Sequence, residues 1–303
     1  MKLPQTTAPS ASLLAAMPAV FVLIWSTGFV VARFGMPHAP PMGFLAWRFA
    51  LSVAAFGVWI VLSGAPWPRG RSQWLHLALT GILMHAGYLG GVWAAVKSGL
   101  GAGTAALIVG LQPLLTAVWL SARGEQDRVA PRQWLGLLLG LAGLVLVVGQ
   151  RLGLGEVTGA NVALAVLALF SITTGTLYQK RWVQPCDVRT ANTVQLAAAF
   201  LATLPFTWFE TSAIEMHPEL VGAMAWSVLV LTLGGSSLLY LLIQRGAATL
   251  VTSLMYLVPP CTAILAWLLF GETLTWIVLL GLALSAIGVG WVVRAPPDTA
   301  HQR

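Results

Sequence analysis

A long apolar segment occurs twice in this chain, and this repetition is the strongest constraint on its fold. Segment 254–272 has a proline in its middle and ends in Gly-Glu, and segment 107–125, 147 positions earlier, has both features. The same shift pairs Thr27 with Thr174, Gly28 with Gly175, Arg33 with Lys180, Gly87 with Gly234 and Gly99 with Gly246. Beyond the Gly-Glu pair the shift is 145, and it pairs Gly136 with Gly281 and Gly143 with Gly288. A constant shift over about a hundred positions predicts two copies of one structural unit.

The composition is that of a membrane protein. Of the 303 residues, 58% are hydrophobic and 8% are charged, and the mean hydropathy is +0.83. Soluble domains carry about 25% charged residues. The net charge of +7 comes from Lys and Arg residues scattered over short loops, so we expect the lipid bilayer as a partner and no nucleic acid.

Ten segments are long and apolar enough to cross a hydrocarbon core of roughly 30 Å as helices. They cover residues 13–32, 42–62, 74–96, 102–121, 133–149, 160–179, 190–209, 222–243, 247–270 and 274–293. Because each copy has five spans, an odd number, the second copy enters the membrane in the opposite sense. We therefore predict an all-α integral membrane protein with ten transmembrane helices, arranged as two inverted five-helix repeats.

The predicted organisation follows from these spans and from the basic residues. It consists of a cytoplasmic N-terminal tail 1–12, a first repeat 13–149, a periplasmic connection 150–159, an inverted second repeat 160–293 and a cytoplasmic C-terminal tail 294–303. Most of the 16 Lys and Arg residues fall on the side of the N-terminus, and such residues mark the cytoplasmic side. Both termini are therefore expected in the cytoplasm of a bacterium, with the loop 210–219 outside the inner membrane. Inverted repeats are typical of secondary transporters.

Several motifs in this order resemble the drug/metabolite transporter superfamily, specifically its ten-span EamA branch, along nearly the whole chain. They are Trp25-Ser26-Thr27-Gly28-Phe29, Trp47-Arg48-Phe49, and two proline-containing helices that end in Gly124-Glu125 and Gly271-Glu272. The general pattern is also similar to amino-acid exporters of the YddG type. The resemblance implies export of small metabolites, above all amino acids, by alternating access. Nucleosides or other small organic solutes are the alternative substrates, and an intramembrane enzyme or a receptor is the alternative class.

Acidic residues are absent from the predicted membrane depth, because all nine Asp and Glu residues fall in loops or at span ends. This disfavours export of polycationic drugs and proton coupling through a buried carboxylate. Facilitated diffusion, exchange or proton handling by histidine remain as mechanisms. No metalloprotease or phosphate-binding motif occurs, so we expect no enzyme activity, no cofactor and no metal. We expect a monomer, with a homodimer as the alternative.

Polar side chains at middle depth are the candidates for binding the small-molecule substrate. They are His85, Tyr88, Gln112, Ser236, Tyr240, Ser253 and Tyr256. A polar group in a spanning helix usually faces protein or a water-filled cavity, because hydrocarbon leaves its hydrogen bonds unmade. Each of them has an alternative interpretation as a hydrogen bond between helices. For His85 the alternative is a neutral ring that is satisfied by a neighbouring hydroxyl group.

Four further residues are predicted to act in gating or in bending helices. Pro113 and Pro260 remove a helical hydrogen bond, so they either kink their helices or free a carbonyl for a ligand. Arg48 either extends to the outer interface or holds a substrate carboxylate, and Gln195 occupies its position in the second repeat. Trp25 pairs with Ile172, so the two copies have diverged there.

Two further expectations concern packing at the helix ends and at the periphery. We expect Glu125 and Glu272 to accept hydrogen bonds from the first turn of the helix that follows each of them, with a hinge or gate as the alternative. The fifth and tenth spans consist almost wholly of Leu, Val, Ala and Gly, so we place them at the periphery. Their glycines suit close packing against a neighbouring helix.

Overall fold

The computed structural model describes residues 11–122, 131–152, 157–235, 238 and 257–293, and the ordered elements in this part of the chain are all helices. In the first half these are α1 (Ala11–Gly35), α2 (Pro41–Ser63), α3 (Arg71–Gly81), a first π-helical turn (Ile82–Gly87), α4 (Tyr88–Lys97), α5 (Ala102–Val109), α6 (Gln112–Ala122) and α7 (Pro131–Leu152). In the second half they are α8 (Gly159–Trp182), α9 (Val188–Thr207), α10 (Pro218–Ala225), a second π-helical segment (Trp226–Gly235), α11 (Val258–Phe270) and α12 (Trp276–Val293).

Four helices are long and apolar enough to cross a membrane by their length and composition. They are 41–63, the continuous helix 71–97, 159–182 and 218–235. Shorter apolar helices occur in the predicted spans 13–32, 102–121, 133–149, 247–270 and 274–293, whereas the predicted span 190–209 contains α9, which belongs to neither group. The predicted span 102–121 is divided into α5 and α6 by a turn at Gly110-Leu111, shortly before Pro113. Proline lacks the amide hydrogen and its ring clashes with the preceding turn, which favours a break there. The count of ten spans stays a prediction, because 222–243 and 247–270 extend beyond the described residues.

The starts of α8 and α2 are held by side chains, in α8 from its own first turn and in α2 from the other half of the chain. At α8, Thr158 and Asn161 cap each other reciprocally through side-chain and backbone hydrogen bonds. At α2, the two carboxylate oxygens of Glu210 accept hydrogen bonds from the amides of Met42 and Gly43, each at 2.8 Å. Such bonds satisfy amides that have no partner within their own helix.

Glu272 has a partner that the sequence-based expectation did not name. Its Oε1 atom accepts a hydrogen bond at 2.9 Å from the amide of Ala102, at the start of α5. Folding places the start of α5, 170 positions away in the sequence, beside the end of α11. Glu125, for which the same was expected, lies outside the described residues.

The last helices of the two halves pack against each other through glycines. A Cβ atom on Gly143 in α7 would lie 2.3 Å from the carbonyl oxygen of Gly281 in α12, and one on Gly288 would lie 2.4 Å from that of Gly136. These two contacts are reciprocal, because the shift of 145 pairs Gly136 with Gly281 and Gly143 with Gly288. The expected close packing of the peripheral spans is therefore a contact between equivalent helices.

Other contacts between the halves are reciprocal in the same way. Gly28 faces the side chain of Leu231, and Gly175 faces the side chain of Met84. The shift of 147 maps Gly28 onto Gly175 and Met84 onto Leu231, so it exchanges these two contacts. The two π-helical segments also correspond under this shift, since 82–87 maps onto 229–234. The same local deviation from α-helical geometry thus occurs at equivalent positions of the two repeats.

Two loop contacts between the halves are also exchanged by the shift. In the 38–219 interface, residues 36–43 meet residues 210–219, and the Glu215 amide donates to the His38 carbonyl at 2.8 Å. In the 73–184 interface, residues 63–73 meet residues 183–190, and the Gln73 side chain donates to the Gln184 carbonyl at 2.8 Å and accepts from the Gln184 amide at 3.1 Å. The two interfaces have equivalent positions but different chemistry.

Candidate functional site

A cavity of about 120 Å³ lies between the two halves of the chain. Its walls come from α1, α2, the first π-helical turn, α4, α8, α9 and the second π-helical segment. Trp25, Arg48, His85 and Tyr88, four of the residues predicted from the sequence, line it together. The fold therefore brings predicted substrate-binding and gating residues into one place.

The wall is built largely from positions that are equivalent in the two repeats. The shift of 147 relates four pairs of lining residues: Trp25 with Ile172, Phe49 with Leu196, Met84 with Leu231, and His85 with Thr232. A cavity lined by both members of several such pairs lies on the symmetry element that relates the repeats. The first repeat supplies larger or more polar side chains at these positions, so the two walls of the cavity are chemically unequal.

Arg48 is the charged group of this cavity. Its side chain is buried, with 7% exposure. Its Nη2 atom donates to the Thr232 hydroxyl at 3.3 Å, and its guanidinium lies 6.0 Å from the ring centre of Trp93. The Nε atom has no hydrogen-bond partner, and no carboxylate pairs with Arg48, within the described parts of the chain. A buried cation with unused donors favours an anionic group on the ligand.

His85 and Tyr88 lie beside Arg48 in the same wall. The His85 ring meets the Phe49 ring edge-on, with 6.2 Å between their centres. Gln195, the repeat equivalent of Arg48, is a polar neighbour of His85, whereas Nε2 of His85 is buried without a partner among the described residues. A buried nitrogen without a partner is costly, so it is available for a ligand or an ordered water.

The other predicted substrate-binding residues do not reach this cavity or lie outside the described residues. The side-chain amide of Gln112 donates a hydrogen bond to the Thr176 hydroxyl at 3.0 Å and so joins α6 to α8. This contact matches the alternative interpretation of Gln112 as a hydrogen bond between helices. The remaining predictions, Ser236, Tyr240, Ser253 and Tyr256, fall outside the described residues.

The two prolines lie near the starts of helices. Pro113 is the second residue of α6, just after the break at Gly110-Leu111, and Pro259 and Pro260 lie in the first turn of α11. Proline is tolerated at these positions because the first amides of a helix have no helical partner. A Cβ atom on Gly110 would lie 2.7 Å from Pro259, so the break in the first repeat packs against the start of α11. Pro113 therefore follows a helix break and does not kink a continuous span.

A larger cavity of about 440 Å³ lies between α2, the loop before α10, and α10 itself. The residues that line it are almost wholly apolar. One of these residues is Trp47, whose side chain is 58% exposed. It offers no charged or hydroxyl-bearing side chain that would orient a polar solute, whereas the smaller central cavity offers Arg48, Tyr88 and Thr232. We therefore take the central cavity as the candidate site.

Thr232, Phe49 and Trp93 were not predicted as site residues. Thr232 is the repeat equivalent of His85, so the shift of 147 was the available signal for it. Phe49 belongs to the motif Trp47-Arg48-Phe49, but neither this motif nor the local sequence around Trp93 indicates a place in the cavity wall. Their roles depend on how α2 and α4 pack beside α1.

The repeated architecture agrees with a comparison with known families. A sequence profile of the EamA-like transporter family matches residues 11–149 and, a second time, residues 160–294. The chain belongs to the EamA-like transporter family. This membership makes it a membrane transporter of the drug/metabolite transporter superfamily, as the motifs around Trp25 and Arg48 indicated.

The chain is similar along most of its length to proteins of bacteria and archaea. The chain is 25% identical over 278 residues to a probable amino-acid metabolite efflux pump of Salmonella typhimurium, and the alignment covers 88% of this chain and 90% of that protein. It is 28% identical over 270 residues to the inner membrane transporter YedA of Escherichia coli strain K12, covering 88% and 86%. It is 25% identical over 283 residues to a transporter of Archaeoglobus fulgidus, covering 89% and 94%.

The fold is also found in a solved crystal structure. The two chains superpose with a TM-score of 0.64 at 20% identity, over 93% of this chain and 98% of the other. At this identity the similarity concerns the fold alone.

Proposed function

We propose that this EamA-like protein is a secondary transporter that exports small metabolites, in the first place amino acids, across the bacterial cytoplasmic membrane. In this proposal ten spans form two inverted five-helix repeats with both termini in the cytoplasm, and alternating access exposes the central cavity to one side at a time. The reciprocal glycine contacts of α7 and α12 and the paired positions around the cavity support inverted repeats. The relative named as an amino-acid metabolite efflux pump supports the substrate class.

The proposed substrate class rests mainly on the burial and the hydrogen bonding of Arg48 in the central cavity. It is buried, it is bound through one nitrogen to Thr232, and its Nε atom has no partner among the described residues. A carboxylate is the ligand group that matches a guanidinium best, since it can accept two parallel hydrogen bonds. Binding would also supply the countercharge that a buried cation needs. An amino acid brings such a carboxylate, whereas a nucleoside does not.

The rest of the cavity suits the side chain of an amino acid. Trp25, Phe49 and Leu196 provide apolar and aromatic surface in the same cavity as Arg48. These groups can make apolar contacts with amino-acid side chains of different shapes. We therefore expect broad specificity with modest affinity. His85 and Tyr88 remain as polar groups for the amino-acid head.

Alternating access requires contacts that open on one side while those on the other side stay closed. The 38–219 and 73–184 interfaces are suited to this role because the repeat exchanges them. Each joins one repeat to the other by hydrogen bonds to backbone groups, through Glu215 and His38 in one case and through Gln73 and Gln184 in the other. We propose that export opens them in turn.

The experiment compares amino acids with the amines that result from their decarboxylation. Purified protein in liposomes is preloaded with an amino acid, and counterflow of labelled phenylalanine, leucine, phenethylamine or uridine is measured. The wild type should exchange the amino acids and neither phenethylamine nor uridine. In Arg48→Gln the apparent affinity for amino acids should fall by about 10- to 100-fold, as expected for the loss of a charged hydrogen bond of roughly 1.5–3 kcal/mol.

Arg33→Gln is the matched control, because Arg33 lies in the last turn of α1, near the Phe270 ring, and does not line the cavity. It should transport like the wild type. Equal exchange of amino acids and amines by the wild type, or unchanged amino-acid affinity in Arg48→Gln, would contradict the proposal. Exchange of uridine alone would favour the nucleoside alternative, and no exchange of any solute would favour an enzyme or a receptor.

A further inference from the structure

Three side chains with metal-binding atoms meet in the 38–219 interface, away from the central cavity. His38 lies after α1, and His217 and Glu219 lie at the start of α10. The Nε2 atom of His38 is 3.0 Å from Oε2 of Glu219, and Nδ1 of His217 is 4.0 Å from the same oxygen. One ligand atom from each of the three residues lies within 4.8 Å of the others.

The backbone around these side chains holds them close together. The Glu215 amide donates to the His38 carbonyl, and the Glu210 carboxylate binds the first amides of α2, so the two loops are tied at two points. His217 also precedes α10 directly, where its Nδ1 accepts a hydrogen bond from the Glu219 amide at 3.3 Å. The ligand atoms are therefore brought together by the fold and not by chance extension of long side chains.

Two imidazoles and one carboxylate form a donor set that suits zinc. Zinc binds histidine nitrogen and carboxylate oxygen at about 2.0–2.2 Å in tetrahedral geometry, so its ligand atoms lie roughly 3.3–3.5 Å from each other. The separations of 3.0 and 4.0 Å bracket this range. The rings of His38 and His217 are stacked at 4.1 Å with 11° between their planes. The His217 ring must therefore turn, and its Nδ1 must give up the hydrogen bond from the Glu219 amide, for both histidines to bind one ion. The His217 side chain is 47% exposed and has room to turn.

We propose that His38, His217 and Glu219 bind a divalent transition-metal ion of the zinc class, with water in the fourth position. The ion would join a loop of the first repeat to a segment of the second. Sequence spacing did not indicate this site, because His38 and Glu219 are 181 positions apart.

The repeat supplies an internal comparison for this site. Under the shift of 147, His38, His217 and Glu219 correspond to Pro185, Gly70 and Ser72, none of which ligates zinc through its side chain. The metal therefore binds only one of the two exchanged interfaces. If the transport proposal holds, zinc keeps the 38–219 interface closed and inhibits export, and this consequence rests on the proposed function.

Binding is tested on the full chain purified in detergent, after removal of any polyhistidine tag and of bound metals by a chelator. Calorimetric titration with zinc chloride should show one site per chain, and zinc should raise the unfolding temperature, whereas magnesium should do neither. His38→Ala and Glu219→Gln should each weaken zinc binding by at least about 10-fold, since even groups that only orient metal ligands contribute 10- to 100-fold.

His76→Ala is the matched control, because His76 is bound to Tyr178 at 2.6 Å elsewhere in the fold. It should leave zinc affinity unchanged. The proposal is overturned if zinc binds as tightly to His38→Ala and Glu219→Gln as to the wild type, or if the wild type binds none. The measurement needs no transport, so its failure is distinguishable from a failure of the transport proposal. In liposomes, zinc should inhibit the wild type and spare Glu219→Gln.

Discussion

The contact between α7 and α12 makes a quantitative prediction about two glycines. Gly143→Ala places a methyl group 2.3 Å from the Gly281 carbonyl oxygen, and Gly288→Ala places one 2.4 Å from that of Gly136. Both neighbours are backbone atoms, which cannot turn aside as a flexible side chain can. Since side-chain carbons rarely approach other atoms closer than 3.0–3.4 Å, the two helices must separate by roughly an ångström.

The cost follows from comparison with two glycines on the same helices. A methyl group on Gly149 in α7 or on Gly290 in α12 would meet nothing within 4 Å. Alanine favours a helix over glycine by up to about 1 kcal/mol, and this gain is common to all four positions. The difference between an interface variant and its control therefore isolates the overpacking, which typically costs about 1–3 kcal/mol.

The assay is thermal unfolding in detergent, followed by the intrinsic fluorescence of the 14 tryptophans. Gly143→Ala and Gly288→Ala should unfold a few degrees below their controls, because about 1 kcal/mol corresponds to roughly 2–4 °C in chains of about 150–250 residues and to less in a longer chain. The two interface variants should also resemble each other, since the repeat makes their contacts reciprocal. If all four variants unfold at one temperature, or if only one interface variant is affected, the reciprocal packing of α7 and α12 is wrong.

Two other predictions concern the loops. In a background without Cys186 and Cys261, Ser212→Cys should react with an impermeant thiol reagent in intact cells, because the loop 210–219 is expected outside, and labelling only after lysis would reverse the orientation. In the loop before α9, hydrogen bonds from the Arg189 side chain, with further bonds from its amide, lower the pKa of Asp187 from its ordinary value of 3.8. This interaction stabilises the fold fully at pH values above 3.8, and the stabilisation is lost as the pH falls through the lowered pKa. Asp187→Asn should therefore be less stable than the wild type at neutral pH, and it should lose less stability on acidification. The measurement is the unfolding temperature as a function of pH.

Helical class, membrane location and family could be predicted from the sequence because they depend on properties that each segment carries alone. Apolar length decides whether a helix can lie in lipid, and it is read from consecutive residues. The motifs around Trp25 and Arg48 identified the family for the same reason. Duplication was readable as well, and it later accounted for the reciprocal packing of Gly143 and Gly288.

The sequence also singled out part of the central cavity. Arg48, His85 and Tyr88 are unusual in apolar spans, so their rarity alone marked them as candidates. Gln112 is equally polar but bonds to Thr176 between helices. Rarity shows that a polar side chain needs a partner, and it does not show whether that partner is a ligand or another helix.

Only the tertiary structure decided which groups meet. The bond from Arg48 to Thr232 spans 184 positions, that from Ala102 to Glu272 spans 170, and the approach of His38 to Glu219 spans 181. No local pattern encodes such pairs, because they depend on the rotation and depth of whole helices. The π-helical turn at His85 has the same origin, since the turn changes which residues face α8 and α9 without changing their order in the chain. Hydropathy places each helix in the membrane, and the packing of one repeat against the other determines where its polar side chains point.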